Sequence, residues 1–149
     1  MSNAWARDRA FSVAEAAQLA DMPESTLRDW LASGGNPFMS GKFGSQRRMS
    51  ATDVFITIIA KRLIAANYQI LVATCEAWRV AGGPQANVAA IPRDSVFVAQ
   101  PSGGMASVEV SPLFEAGQFI SETGSIVIPA GILAADLVEK ASALYGEAA

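Results

Sequence analysis

Apolar residues recur at helical spacing along the first half of the chain, and the pattern opens with two short helices. The first helix begins after Ser12, an N-cap that has Glu15 three residues later, the spacing of a capping box. Residues 21–23 end it, because Pro23 cannot continue a helix interior. The second helix is predicted over Glu24 to Ala32. Its predicted buried residues are Leu27, Trp30 and Leu31.

A glycine-containing segment and two longer helices follow. Residues 36–49 are predicted to be a loop or tight hairpin, and Ser50 is the predicted N-cap of the third helix. The third helix ends at a corner, Asn67-Tyr68-Gln69, since Asn tolerates the left-handed conformation that ends helices. The fourth helix covers about Ile70 to Val80, and Gly82-Gly83-Pro84 stops it.

Beyond residue 82 the pattern changes to short β-branched and aromatic runs that are typical of strands. The predicted strands are 95–99, 106–110, 118–121 and 125–128, with turns at 101–104 and 122–124. A terminal amphipathic helix is predicted over Ile132 to Tyr145, with Leu133, Leu137, Val138 and Leu144 on or near its inner face. Apolar residues on both faces of the strands predict two buried faces: one under the terminal helix, the other on the helical half or on a second copy.

These elements predict an α+β fold in two parts. Residues 1–82 form a mostly helical domain, and residues 83–149 form a small antiparallel sheet with a terminal helix. The second part is small for an independent domain and carries apolar residues beyond those that one helix covers. We therefore expect it to drive self-association into a homodimer or a higher homo-oligomer.

Composition excludes several classes of site. The 149 residues are 51% hydrophobic and 17% charged, and they include no histidine and a single cysteine, Cys75. Histidine-based catalysis, a zinc site built on several Cys and His ligands, and an internal disulfide are therefore impossible. No signal peptide or membrane-spanning run is recognisable. We expect a cytoplasmic protein that is not an enzyme, needs no metal or cofactor and does not bind membranes.

Charge is distributed unevenly along the chain. Residues 1–62 carry eight Lys and Arg against six Asp and Glu, a net charge of +2. Residues 63–149 carry three against eight, a net charge of −5. Such an asymmetry indicates that the first part alone meets a polyanion.

The order of the first four elements is that of a winged helix-turn-helix: two helices joined by a tight turn, a basic glycine-containing hairpin, then another helix. In such a domain the second helix enters the major groove with polar side chains outward. The hairpin, or wing, places fixed cations near phosphates. Double-stranded DNA is therefore the predicted partner.

A family resemblance supports this interpretation. The chain resembles the DNA-binding domain of the MerR family over roughly residues 10–80; the segments concerned are Phe11–Ala17, Thr26–Trp30, Arg47–Ser50 and Asp53-Val54. The resemblance implies that Ser25, Thr26 and Arg28 lie on the recognition helix at the DNA. It further implies that Arg47 anchors the wing to a phosphate, to which Lys42 or Arg48 adds.

Three departures from the family keep alternatives open. Asp29 and Met49 stand where the family often has aromatic residues, and Gly82-Gly83-Pro84 replaces the long dimerisation helix. The first hypothesis is a sequence-specific regulator of transcription from a bacterium or phage. The alternatives are a phage-type or prophage-type accessory protein of DNA packaging or recombination, and a winged-helix protein-interaction module that does not bind DNA.

Overall fold

The computed structural model of the chain describes residues 3–32, 41–43, 46–99, 105–108 and 126–148. It confirms an α+β fold. The elements are a 3-10 turn Asn3–Arg7, strand β1 Phe11–Ser12, helices α1 Val13–Leu19 and α2 Glu24–Ala32, strands β2 Gly41–Phe43 and β3 Gln46–Met49, helices α3 Ala51–Ala65 and α4 Ile70–Ala81, 3-10 turns Gly83–Gln85 and Val88–Ala90, strands β4 Val96–Ala99, β5 Met105–Val108 and β6 Ile126–Ile128, and helix α5 Ala130–Ala148.

Two capping boxes start α1 and α3, as the sequence predicts for α1 and as the N-cap Ser50 indicates for α3. The Ser12 hydroxyl accepts the Glu15 N–H at 3.2 Å, and the Glu15 carboxylate accepts the Ser12 N–H at 3.0 Å. The same reciprocal pair joins Ser50 and Asp53, at 3.0 and 2.8 Å. Each box satisfies two N–H groups that helix geometry leaves without intrahelical partners.

The ends of α1 and α3 both use a non-glycine residue with positive φ. Asp21 has φ 52° and Asn67 has φ 71°, and at α1 the Met22 N–H donates to the Ala17 carbonyl at 3.0 Å. This is the Schellman pattern, in which the left-handed residue reverses the chain after the last turn. It confirms the predicted break after α1 and the predicted corner after α3.

The first sheet has the order β1-β3-β2 and is antiparallel throughout. Strands β2 and β3 form the predicted hairpin, while residues 33–40 and 44–45 lie outside the described residues. Strand β1 is not predicted by the sequence. It has only two residues, of which Phe11 pairs with Met49 of β3.

The second sheet has the order β5-β4-β6, again antiparallel. Three of the four predicted strands are therefore confirmed; the strand predicted at 118–121 and the turns at 101–104 and 122–124 lie outside the described residues. All four residues of β4 are buried, as two buried faces require. Phe97 packs edge-on against Phe55 of α3, with ring centroids 6.1 Å apart, so one face contacts the helical half.

The core is one cluster that includes side chains from both parts of the chain. Helix α3 is buried around most of its surface. Helix α5 contributes a buried stripe, of which the sequence analysis identified Leu137 alone: Ala130, Ala134, Leu137 and Ala141. Leu133, Val138 and Leu144, predicted on or near the inner face, are partly buried and pack against the core. The boundary between residues 82 and 83 stays a prediction.

Hydroxyl and aromatic contacts connect the N-terminal segment to distant parts of the fold. The buried Thr52 hydroxyl donates to the Ala6 carbonyl at 2.9 Å and accepts the Val88 N–H at 3.1 Å. Tyr145 of α5 donates its hydroxyl to the Asp8 carboxylate at 3.1 Å and packs on the Trp5 ring, 5.5 Å between centroids.

Among the described residues, no helix is both long and apolar enough to cross a membrane.

Candidate nucleic-acid interface

Helix α2 has one buried face and one solvent face. Leu27 and Leu31 are buried in the core, which turns Ser25 and Arg28 to solvent. Thr26, which the sequence analysis placed outward, and Trp30, which it predicted to be buried, are both half-buried. Both lie at the margin between the two faces.

Arg28 is exposed but engaged. Its guanidinium contacts Glu24 one turn earlier, with Nη2 at 2.6 Å and Nε at 2.9 Å from the same carboxylate oxygen. Its side chain is 60% exposed. Exposed ion pairs at this spacing contribute about 0.3–0.5 kcal/mol. Arg28 can therefore exchange Glu24 for a phosphate or a base edge at little cost.

The hairpin brings two of the predicted cationic residues to paired positions. In the β2–β3 register Lys42 stands opposite Arg47, and Gly41 stands opposite Arg48. Strand β3 also pairs with β1, and β1 leads directly into α1. The hairpin is thus joined by backbone hydrogen bonds to the start of the helix pair, so that both belong to one structural unit.

Arg48 has a structural contact that the sequence did not predict. It is half-buried, and its Nη1 donates to the Ala10 carbonyl at 3.1 Å. Its strand position is opposite Ser12, next to the N-cap of α1. Arg48 therefore holds the segment before α1 against the central strand, and the phosphate contact that the resemblance implies for it stays a prediction.

The turn between α1 and α2 is held from α3. Lys61 donates from Nζ to the carbonyl of Asp21, at 2.6 Å. Asp21 is the residue with positive φ at this turn, so the contact fixes the angle between the two helices. Sequence analysis missed this role because the partners are 40 positions apart and no periodicity connects them.

The basic residues near the candidate interface lie in different parts of the fold. Arg28 lies on the exposed face of α2, whereas Lys42 and Arg47 belong to the hairpin. Arg7 and Arg9 precede β1, a segment in which sequence analysis sought no site. Arg9 lies 3.6 Å from the Asp53 carboxylate, and Arg7 donates to the Pro84 carbonyl at 2.8 Å. The only sequence signal for them is the pair of basic residues flanking Asp8.

The described residues offer few groups for metal or thiol chemistry. They contain no group of three His, Cys, Asp or Glu residues arranged to hold a metal ion. Cys75, a free thiol on α4, is half-buried.

No family model matches the chain, and no curated protein matches it in sequence. The function of the site is therefore inferred from its own residues.

Proposed function

We propose that this chain is a sequence-specific double-stranded DNA-binding protein that acts in transcription regulation. Helix α2 is the proposed recognition helix, and the β2–β3 hairpin is the proposed wing. The observation that carries the proposal is the connection of these parts: a helix pair with one exposed polar face, whose first helix begins at a strand paired with the cationic hairpin.

The exposed face of α2 supports groove binding. The major groove of B-DNA admits one α-helix and displays hydrogen-bond groups on the base edges. Ser25 and Arg28 are both exposed on α2, and an arginine makes the commonest specific contact, bidentate to guanine. Because the exposed Arg28–Glu24 ion pair contributes little free energy, this arginine is available to DNA.

The register of the hairpin supports phosphate binding. Lys42 and Arg47 stand at paired positions of neighbouring strands. Like charges at such positions destabilise a sheet. A phosphate between them removes that repulsion, because it supplies the opposite charge. The wing is therefore a place where a polyanion stabilises the fold that binds it.

The test is the salt dependence of binding to a mixed pool of duplex DNA fragments, between about 50 and 200 mM salt. We expect the wild-type affinity to fall with salt, and the Lys42→Ala/Arg47→Ala double variant to lose about 1.8 from the log–log slope, since each phosphate contact contributes roughly 0.9. Arg28→Ala should weaken binding to the DNA sequences selected from the pool by about 1–3 kcal/mol. Gel shift and fluorescence anisotropy both measure these changes.

Arg79→Ala is the matched control for Arg28→Ala. Arg79 is an exposed α4 arginine whose guanidinium contacts Glu76, one turn earlier, at 2.7 Å, so the two variants remove comparable surface pairs. Only the α2 variant should affect DNA binding. Equal losses in both variants, or wild-type binding that is absent at low salt, would contradict the proposal. Sequences recovered from the bound pool distinguish a regulator's operator from a packaging or recombination site.

A protein-interaction module is the second candidate. Asp29 is exposed on α2 next to Arg28, and an acid there repels phosphate. The chain as a whole also carries a net charge of −3. If the wild type binds no DNA at either salt concentration, this candidate replaces the first.

Self-association belongs to the proposal, because a dimer would place two recognition helices about one DNA turn apart. We expect the protein to be a homodimer or a higher homo-oligomer at micromolar concentration, assembled through residues 83–149. Light scattering coupled to size-exclusion chromatography measures the mass directly. A strict monomer in free solution would remove this part of the proposal and leave each copy with the phosphate contacts of one domain.

A further inference from the structure

A polar cleft opens on the side of the molecule where the N-terminal segment meets the start of α3. Its volume is about 250 Å³, and it lies between Arg7 and Arg9 on one side, Asp53 of α3, and Trp78 and Pro84 on the other. It therefore joins residues of the helical half to the segment that follows α4. None of the described residues of α2 or of the hairpin lines it.

We propose that this cleft binds a small free oxyanion, of the carboxylate or phosphate class, through Arg7 and Arg9. Binding at the cleft does not depend on the proposed DNA-binding function; only its use as a regulatory signal does.

The charge of the cleft favours an anion. Two arginines and one aspartate line the cleft, so it has an excess positive charge even when Asp53 is ionised. Arg7 has five N–H donors, of which its contacts with described residues use the one at the Pro84 carbonyl. Arg9 approaches Asp53 only at 3.6 Å, an ion pair longer than a charge-assisted hydrogen bond. Both guanidinium groups thus retain donors for a ligand oxygen.

The size and walls of the cleft limit the ligand. Pockets for drug-sized molecules have volumes of roughly 300–1,000 Å³, so this smaller cleft suits a small metabolite. The half-buried Trp78 ring and Ile56 provide apolar surface for a short carbon skeleton. Gly83, which also lines the cleft and has φ 58°, lies beside the Trp78 ring, since a Cβ atom at this position would be 3.5 Å from it.

Residues that line the cleft are close along the chain to residues of the wing and to its contacts. Ser50 lines it and follows β3 directly. Ala10, whose carbonyl accepts a hydrogen bond from Arg48 of β3, follows Arg9. A ligand that draws Arg9 away from Asp53 therefore acts on the segment to which the wing is attached. If the wing contacts DNA as proposed, the bound anion regulates that contact.

The experiment is a titration of the full-length, isotope-labelled protein with sulfate, and separately with succinate, followed by amide chemical shifts at constant ionic strength. Sulfate keeps its double charge throughout the pH range of the test. We expect shifts confined to the cleft, in residues 7–10, 50–56 and 78–86. Arg7→Gln and Arg9→Gln should each weaken binding about tenfold, the effect of losing one charge-assisted hydrogen bond.

Asp53→Asn separates binding from damage to the fold. Removing this carboxylate should strengthen sulfate binding at pH 7.5 by about fivefold, because a like charge near the anion is lost. A variant that merely disturbs the structure weakens binding, so opposite effects of Arg9→Gln and Asp53→Asn identify the cleft. Sulfate should also bind more tightly at pH 5.5 than at pH 7.5, since burial raises the pKa of Asp53 to about 6. Among the described residues, Arg9 faces Asp53 and Arg7 lines the same cleft, while Asp8 accepts the Tyr145 hydroxyl.

Failure of this inference is distinguishable from failure of the DNA proposal. Lys42→Ala/Arg47→Ala should retain sulfate binding while it loses DNA binding. Absent shifts, or shifts located at the hairpin, would overturn the anion site. It would equally be overturned if Arg7→Gln and Arg9→Gln left sulfate binding unchanged but lowered the salt slope of DNA binding, since the two arginines would then serve the DNA backbone.

Discussion

Gly131→Ala is expected to destabilise the protein by about 3 kcal/mol or more, at the upper end of the range for overpacked cores. A Cβ atom at this position would overlap the carbonyl oxygens of Arg93 and Pro92. Both contacts are with backbone, so no side-chain rotation relieves them. The first turn of α5 would have to move away from the 92–95 turn, to which the Gly131 N–H donates at Ser95, 2.9 Å.

The displacement would spread through the core, because the stripe that follows Gly131 on α5 is packed in the shared cluster. Urea unfolding followed by circular dichroism measures the loss of free energy. Gly146→Ala in the same helix is the control: a Cβ there meets nothing within 4 Å, and the change should stabilise α5 by up to about 1 kcal/mol. A cost below about 0.5 kcal/mol for Gly131→Ala, the usual limit for surface substitutions, would show that α5 does not approach the 92–95 turn this closely.

The second large effect concerns the pH dependence of stability. The Asp53 side chain is 9% exposed, and burial raises its pKa from 3.8 to about 6, against the lowering effects of its hydrogen bonds to Ser50 and its ion pair with Arg9. In the pH range between these two values the folded state binds more protons than the unfolded state. Asp53 therefore lowers the free energy of unfolding as the pH rises from about 4 to 6, and the effect is level above that.

Asp53→Asn should abolish this dependence. The amide oxygen still accepts the Ser50 N–H of the capping box, while the buried charge is removed. One pKa unit corresponds to about 1.4 kcal/mol, so the advantage of the variant over the wild type should grow by roughly 3 kcal/mol between pH 4 and pH 7. Unfolding both proteins at a series of pH values cancels the other carboxylates. A difference that is flat, or that grows toward acid, would show that the Arg9 pair and the capping box outweigh burial.

Sequence predicted the parts of this fold that depend on neighbours along the chain. Ser12 and Ser50 were identified as caps because their partners lie three residues away, and the Asn67 corner because its residue type tolerates positive φ. The bounds of α2 follow from the same local rules. Helical periodicity also predicted the buried face of α2, which carries Leu27 and Leu31.

Long-range contacts were not predictable in this way. Strand β1 exists because β3 passes beside it, and the Arg48 contact with Ala10 spans 38 positions. Likewise the two arginines of the cleft lie in a segment that precedes every predicted element. Gly131 lies where α5 closely approaches a turn that is 36 or more residues earlier, a contact that no local pattern signals.

The contact between Tyr145 and Asp8 has a consequence for the order of folding during synthesis. It joins residues 137 positions apart, and the Trp5 ring packs on the same tyrosine. During synthesis the segment with Trp5 and Asp8 is made well before Tyr145. Such sequence-distant pairing slows folding and leaves apolar surface uncovered in the interval. Trp5 therefore stays open to water or to a chaperone until α5 has been made.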